Sequence, residues 1–531
     1  MVDVTRGFGG WVNFTHHDET APERGLQSTG SVDLVVDHDR DEVAHVLESP
    51  EAGRAATRGG VIRVGSYFLN GVLGALGSAF MYRHLGTKNT GTYVTAVTIA
   101  GIVAGLSDLG LTTLGTRELA VRDRAGRARL MRSLVGLRLG LTVVGTGLSV
   151  GLSVLVGYQP VLVAGVALAG VGLLLGSFGG TLSLSLVSRL RFGLLTAIAT
   201  GQQAVITAFT ILLAMIGAGV LGFISLPIPI GFVFLIITVW LVPREVPLLP
   251  RFDSAEWRML LREIAPFALA STIAVVYFRL SVVAVSLTAS ATQLSYFGLS
   301  FRILEVLVVI PGIMVTTAFP IFARSAMHDR ERLAYGVSRV FIVSLIVGVW
   351  FTLTLTIGAP IAIKLLGGEA FSKATGVLRI QAFGLGASFV GALWGMVMVT
   401  LRLYRQLILL SLVSLVAGVA LVTVLASTNG AQGAALGTAI TEVAGALFAP
   451  FVLLRYDRQI VPSMAGVPRI ALAGGLAALV ALIPGVPVIA LVAVATVVYF
   501  AILVVTRAIP DELLHELSAA RRHFALRRLS A

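Results

Sequence analysis

The chain has 531 residues, of which 56% are hydrophobic and only 13% charged, with a mean hydropathy of +0.91. Soluble domains run nearer roughly 45–50% apolar and about 25% charged, so this composition indicates a polytopic membrane protein. The absence of cysteine excludes disulfides, thiolate metal sites and cysteine nucleophiles. The histidines (His16, His17, His38, His45, His84, His328, His515 and His523) all fall in tails or connections, which leaves no intramembrane histidine relay or haem ligand pair. The net charge of +13 is a sum of unlike parts: residues 1–60 hold 11 carboxylates against 5 arginines, a balance of −6, and the remainder carries +19. Basic connections between membrane spans explain that excess better than nucleic-acid binding does.

Residues 1–60 contain no apolar run, predict no signal peptide and read as a disordered, acidic cytoplasmic tail, with 33–51 able to form a short helix. Asn13-Phe14-Thr15 matches a glycosylation acceptor that a cytoplasmic tail would make meaningless. From there on, apolar segments of about 20 residues recur, each long enough for a bilayer core of about 30 Å. Fourteen are predicted, at 61–82, 90–114, 133–157, 160–186, 193–216, 219–241, 264–287, 295–322, 337–359, 378–401, 406–427, 433–454, 468–484 and 487–506. The fold class is therefore an all-α polytopic membrane protein. It has an N-lobe of spans 1–6 (61–241), a cytoplasmic linker (242–263), a C-lobe of spans 7–12 (264–454) and two further spans (468–506). Residues 510–531 read as a basic amphipathic helix on the inner leaflet, or as a solvated tail helix.

Arginine alternates between connections. Those after even-numbered spans hold groups such as Arg117 to Arg132, Arg324 to Arg339 and Arg455 to Arg469, whereas Tyr158-Gln159-Pro160 and Ser427-Thr428-Asn429-Gly430 are bare. The exceptions are Arg83, Lys88, Lys364, Lys373 and Arg379. By the positive-inside rule, both termini are cytoplasmic and the span number is even. Spans 1 and 2 also lie over spans 7 and 8, so two sets of six in the same orientation make parallel repeats with a path between them.

Met81-Tyr82-Arg83-His84-Leu85-Gly86, Gly91-Thr92-Tyr93, Leu106-Ser107-Asp108-Leu109-Gly110-Leu111 and Thr116-Arg117-Glu118-Leu119-Ala120 resemble the opening of polysaccharide flippases. These are the lipid-linked oligosaccharide exporters of the multidrug/oligosaccharidyl-lipid/polysaccharide (MOP) superfamily. Tyr277-Phe278-Arg279-Leu280, Tyr296, Arg302-Ile303, Pro320 and Val377 to Phe383 continue the pattern, which covers about residues 60–460. Many relatives carry an acid just after the Arg-Leu of span 7, where this chain has Ser281. The resemblance implies a MATE-like fold, alternating access and movement of H+ or Na+ as the driving force. It also implies a polyprenyl phosphate- or pyrophosphate-linked oligosaccharide as substrate, membrane lipid and glycan assembly enzymes as partners, and no cofactor, metal or nucleic acid.

Charge near the bilayer centre costs about 2.5–3.5 kcal/mol on insertion scales and normally faces a protein interior or a watery cavity. Arg279, Arg302 and Glu305 are such charges, predicted at similar depth in spans 7 and 8. Arg302 and Glu305, three residues apart, can pair on one helix face and leave Arg279 without an evident partner. A guanidinium fork suits phosphate oxygens, so Arg279 and Arg302 are candidate substrate ligands, and Glu305 is a coupling or gating group. Gln202, Gln203 and Asn70 can meet sugar hydroxyls or simply join helices. Asp108 and Arg138 form a candidate inner-gate pair; Gln381 and Glu442 are weaker candidates. Pro266, Pro311 and Pro320 would bend spans 7 and 8.

Two other functions remain open. A drug or organic-cation exporter would need buried carboxylates to dominate. A membrane glycosyltransferase or oligosaccharide ligase would need catalytic acids or histidines at a membrane face, where Glu369 is the one obvious carboxylate. ATP-driven transport within the chain is excluded, since Lys88, Lys364 and Lys373 complete no phosphate-binding loop.

Overall fold

The computed structural model describes residues 50–188, 191–242 and 249–508. Most of the acidic tail and the basic helix expected at 510–531 lie outside them, as do the side chains of Pro266 and Pro320. Two units are distinguished, Met1–Arg58 and Gly59–Ala531, and the packing described below lies in the second.

Every regular element described is helical. In a bilayer a helix satisfies its own backbone groups, so long apolar runs have little alternative. The N-lobe holds α1 (Pro50–Asp108), α2 (Leu111–Val121), α3 (Arg124–Leu155), α4 (Pro160–Ser188), α5 (Phe192–Met215), α6 (Val220–Ser225) and α7 (Pro227–Leu241). The C-lobe holds α8 (Ser254–Thr288), α9 (Ala291–Leu307), α10 (Val309–His328), α11 (Arg330–Gly367), α12 (Ala374–Thr400) and α13 (Tyr404–Tyr456). Two more, α14 (Val467–Ala478) and α15 (Val488–Val505), follow. Acidic and hydroxyl side chains start several of them: Asp123 caps α3, Asp253 caps α8, Ser290 caps α9 and Asp329 caps α11.

Eleven stretches among the described residues are long and apolar enough to cross a membrane. Two of them, Gly65–Leu119 and Tyr404–Tyr456, are 55 and 53 residues long, about twice what a bilayer needs. Non-helical backbone divides them at Gly86 (φ 65°, ψ −176°) and Gly430 (φ 55°, ψ −134°), where a side chain would be strained. Divided there, and with the 35-residue α8 added, they agree with the expected total of about fourteen. Span 6 is interrupted at Leu226, just before Pro227, and span 8 at Val308. The latter break falls where Pro311, lacking an N–H, withdraws the bond that Leu307 would accept. Span 2 stops after Asp108, at Leu109 (φ 41°) and Gly110 (φ 80°).

The apolar cores show how the lobes meet. At the arginine-poor end one cluster draws on both lobes, with Tyr82, Val94, Val166 and Phe223 from the first and Val285, Phe297, Phe371 and Ala434 from the second. Hydrogen bonds cross there as well. Arg83 donates to the carbonyls of Lys364 and Leu365 at 3.1 and 2.9 Å, Tyr158 meets Ser286 at 2.6 Å, and Ser295 donates to the Thr87 carbonyl. At the arginine-rich end the cores are separate. One (Leu111, Leu130, Leu134, Leu182) belongs to the N-lobe with Leu260 of the lobe connection, and another (Phe322, Val337, Trp394, Leu453) belongs to the C-lobe. The lobes thus close at one end and part towards the other.

That connection is itself fastened to α3. Ser133 donates to Glu256 at 2.5 Å, the Arg251 N–H donates to the Arg132 carbonyl at 3.1 Å, and Trp257 packs where Gly136 and Gly140 leave room. The last two spans attach to α11 through Ile346, Leu353, Ala473 and Tyr499, whose hydroxyl donates to the Ile346 carbonyl at 2.9 Å.

Candidate substrate cavity

Four helices meet beneath the shared core. On the first arm of α1, Tyr67, Asn70 and Gly74 recur at helical spacing and share a face. Tyr67 donates to the Val306 carbonyl on α9 at 3.2 Å. The Asn70 carbonyl oxygen is buried without a partner. A Cβ at Gly74 would stand 3.6 Å from the Gln203 amide nitrogen and 3.9 Å from an Arg302 guanidinium nitrogen, so α5 and α9 converge on this glycine. Gln203 donates to Thr207 at 3.4 Å, and Thr207 donates to the Leu73 carbonyl at 3.0 Å, which ties α5 to α1. Gln202 is half-buried and lies about 100° further round α5.

Arg302 and Glu305 lie one turn apart on α9 and pair at 2.6 Å. Arg279, from α8, reaches the other carboxylate oxygen of Glu305 at 3.2 Å. The expectation that Arg279 would lack a partner is therefore corrected. Helical spacing predicts pairs within one helix, whereas this contact comes from the packing of α8 on α9. The arrangement is a carboxylate held between two guanidiniums, with one net positive charge. The side chains of Arg279, Glu305 and Arg302 are 27, 28 and 43% exposed, so the cluster is neither sealed nor freely solvated.

Gly101, on the second arm of α1, was not singled out by the sequence. A Cβ there would fall well inside contact distance of the Arg279 guanidinium, which lies flat against this backbone. Among 58 glycines nothing in the sequence marks this one. Tyr67 was legible in principle, through its spacing to Asn70 and Gly74.

The Asp108 and Arg138 candidates do meet, at 2.8 Å, and Thr112 bonds to Asp108 at 2.5 Å. Both come from the N-lobe, so this contact is internal to one lobe, and the Arg138 Nε is buried with no partner. Gln381 and Glu442 fall together in the C-lobe, around a cavity of about 50 Å³ also lined by Tyr277, Ser281, Ser388 and Thr438. Tyr277 and Glu442 share a hydrogen bond, and both amide atoms of Gln381 are buried without partners. A cavity of that size has room for a few water molecules. Ser281 and Glu442, the latter from the second arm of α13, thus line the same cavity.

Glu369 lies in the connection after α11 and is fully exposed. Lys364, 2.5 Å away, holds its carboxyl below the usual carboxylate range. A carboxylate kept ionised by a lysine is poorly suited to acid–base catalysis near neutrality.

A family model described as "Polysaccharide biosynthesis protein" matches residues 80–376. No curated protein sequence matches the chain significantly. Among solved structures, the fold is similar to that of the lipid II flippase MurJ in an inward closed conformation, with a TM-score of 0.69 and 12% identity over 84% of this chain and 99% of that one. It is also similar to a multidrug resistance MATE family transporter of the MOP superfamily. The inward-facing form gives a TM-score of 0.59 at 15% identity over 75% of this chain and 97% of that one. The outward-facing form gives 0.52 at 16% identity over 75 and 94%.

Proposed function

The chain belongs to the family of polysaccharide biosynthesis proteins, and we propose that it works there as a flippase for a lipid-linked oligosaccharide precursor. Its multi-pass helical fold is that of the flippases and transporters of the MOP superfamily. By the positive-inside rule the arginine-rich end faces the cytoplasm. The gap between the lobes then opens inwards, and the closed end seals the outer side. Alternating access would reverse the two.

The observation that carries this reading is the Arg279–Glu305–Arg302 cluster between the lobes. Each guanidinium has five N–H donors, and Glu305 occupies few of them. A phosphate or pyrophosphate linking sugar to lipid would bring acceptors for the rest and compensate the net charge. Its arrival would compete with Glu305 for both arginines, which gives that carboxylate its coupling role. Gln203, Tyr67 and the unpartnered Asn70 oxygen offer hydrogen bonds to the first sugars. For coupling by H+ or Na+, the Tyr277–Gln381–Glu442 pocket supplies a carboxyl within the C-lobe, on a different face of α8 from Arg279. An organic cation would meet net positive charge between the lobes, which disfavours drug export.

The test is transfer of a labelled polyprenyl pyrophosphate-linked oligosaccharide across proteoliposomes, comparing wild type with Arg279→Ala and Arg302→Ala. Transfer by wild type and its loss in folded variants would support the reading. Export of organic cations, with no lipid transfer over several carriers, would replace it with the drug-exporter function.

A further inference from the structure

Five cations stand against the alternation of charge, at the arginine-poor end: Arg83, Lys88, Lys364, Lys373 and Arg379. The arginine cluster of the cavity uses none of them. Two are engaged inside the C-lobe, where Lys364 pairs with Glu369 at 2.5 Å and the Arg379 Nε donates to the Thr356 carbonyl at 3.3 Å. Arg83 behaves differently. It belongs to the N-lobe and donates across to the Lys364 and Leu365 carbonyls of the C-lobe, at 3.1 and 2.9 Å.

Those acceptors are the end of α11, a 38-residue helix that stops at Gly368. The last four carbonyls of a helix lack partners within it, and its C-terminus carries partial negative charge. Here the Gly368 N–H donates to the Lys364 carbonyl at 3.1 Å, and Arg83 adds bonds to that carbonyl and to the next. A Cβ at Gly368 would stand 3.6 Å from the Arg83 Cγ, so the stem of the arginine lies along this turn. Helices usually end on caps from adjacent residues. This donor lies 281 positions away, on the opposite lobe.

The other contacts at this end are apolar or neutral. Tyr82, 2% exposed, sets its ring 6.4 Å from Phe371 of the C-lobe, and Tyr158–Ser286 and Ser295–Thr87 join uncharged groups. Among the described residues, Arg83 thus gives this closure its charged contact. Arg83 is also exposed, so water can replace the carbonyls when the lobes part. A buried guanidinium would lose far more on separation and could not let go so readily. Hydrogen bonds fail beyond about 3.5 Å, so a separation of a few ångströms releases this one.

We propose that Arg83 is a gating residue, which latches the N-lobe to the C-terminus of α11, favours the state closed at the arginine-poor end and lets go each time that end opens. The latch rests on the proposed alternating access and not on the identity of the substrate.

The experiment measures distances in the full-length protein without substrate. Lys88 on α1 and Lys373 just before α12 are exposed on opposite lobes at this end. The chain has no cysteine, so Lys88→Cys and Lys373→Cys can be spin-labelled as a pair. Double electron–electron resonance in lipid nanodiscs should give mainly the short distance for this labelled parent. Arg83→Gln should raise the ratio of long to short distances by about tenfold. Arg83→Lys, which keeps the charge but loses the fork, should raise it by about threefold. Arg379→Gln removes an arginine from the same end, bonded within one lobe, and should leave the ratio unchanged. Thermal unfolding establishes that each variant is folded, and Arg83→Lys carries the test if Arg83→Gln is not. Unchanged distances in folded Arg83 variants would overturn the latch and reduce Arg83 to a cap for α11. An equal shift with Arg379→Gln would overturn it in favour of a general effect of outer charge. Shifted distances together with failed lipid transfer in proteoliposomes would keep the latch and remove the flippase reading alone.

Discussion

Glu305 is the residue whose replacement separates the roles of its neighbours. Glu305→Gln keeps the shape but leaves Arg279 and Arg302 facing one another without a counter-charge. A fully buried pair broken on one side costs about 3–5 kcal/mol; partial exposure here reduces that to about 1–2 kcal/mol. Sodium pyrophosphate should therefore raise the melting temperature of Glu305→Gln more than that of wild type. Equal shifts in a thermal scan would mean that anions do not compete with this carboxylate. Arg279→Ala removes a charge-assisted bond worth about 1.5–3 kcal/mol, a loss of roughly tenfold to a hundredfold in transport kcat/KM. Gly101→Ala should approach the same loss without altering any charge, because its methyl group displaces the Arg279 guanidinium. The double variant should be no worse than Arg279→Ala alone. Additive losses in the transport assay would show that Gly101 acts elsewhere. Arg279, Arg302 and Glu305 stood out in the sequence because charge is rare and costly in a span. The second partner of Glu305 and the need for Gly101 did not, because both arise where separate helices cross.

At the scale of the element, the turns at Gly86 and Gly430 carry the sharpest backbone demand. Gly86 occupies a region (φ 65°, ψ −176°) that is nearly closed to other residues, with open space where a Cβ would point. Gly86→Ala should thus act through the backbone alone and lower unfolding stability by about 1–3 kcal/mol, read by chemical unfolding in detergent. An unchanged midpoint would mean that this turn relaxes freely. The spans themselves were legible from hydropathy, since about 20 apolar residues in a bilayer have one regular solution. Their interruptions were less so. Pro311 announced the break in span 8, whereas the stop at Asp108-Leu109-Gly110 carries a leucine at φ 41°, which no local rule favours.

For the whole molecule, the separation of the cores makes a prediction about motion. The lobes share one apolar cluster at the arginine-poor end and have separate clusters at the other, so exchange of access must break the shared one. A bond across that end should hold the protein open to the arginine-rich side. The natural chain has no cysteine, so an introduced pair is the only thiol pair present. Val94 on α1 and Gly298 on α9 suit this, since a Cβ at 298 would lie 3.1 Å from that of Val94. Disulfides span about 3.5–4.5 Å between Cβ atoms, so a small shift accommodates one. Oxidised Val94→Cys/Gly298→Cys should stop transport in proteoliposomes, and reduction should restore it to the level of the reduced variant. A third cysteine beside Arg302, in the cluster between the lobes, should stay open to a water-soluble maleimide from the arginine-rich side while the bond is intact. Continued transport with the disulfide fully formed would show that the shared core does not part during the cycle. The lobes would then have to move by sliding along that core, with the arginine cluster reached from both sides by a smaller, local rearrangement of α8 and α9.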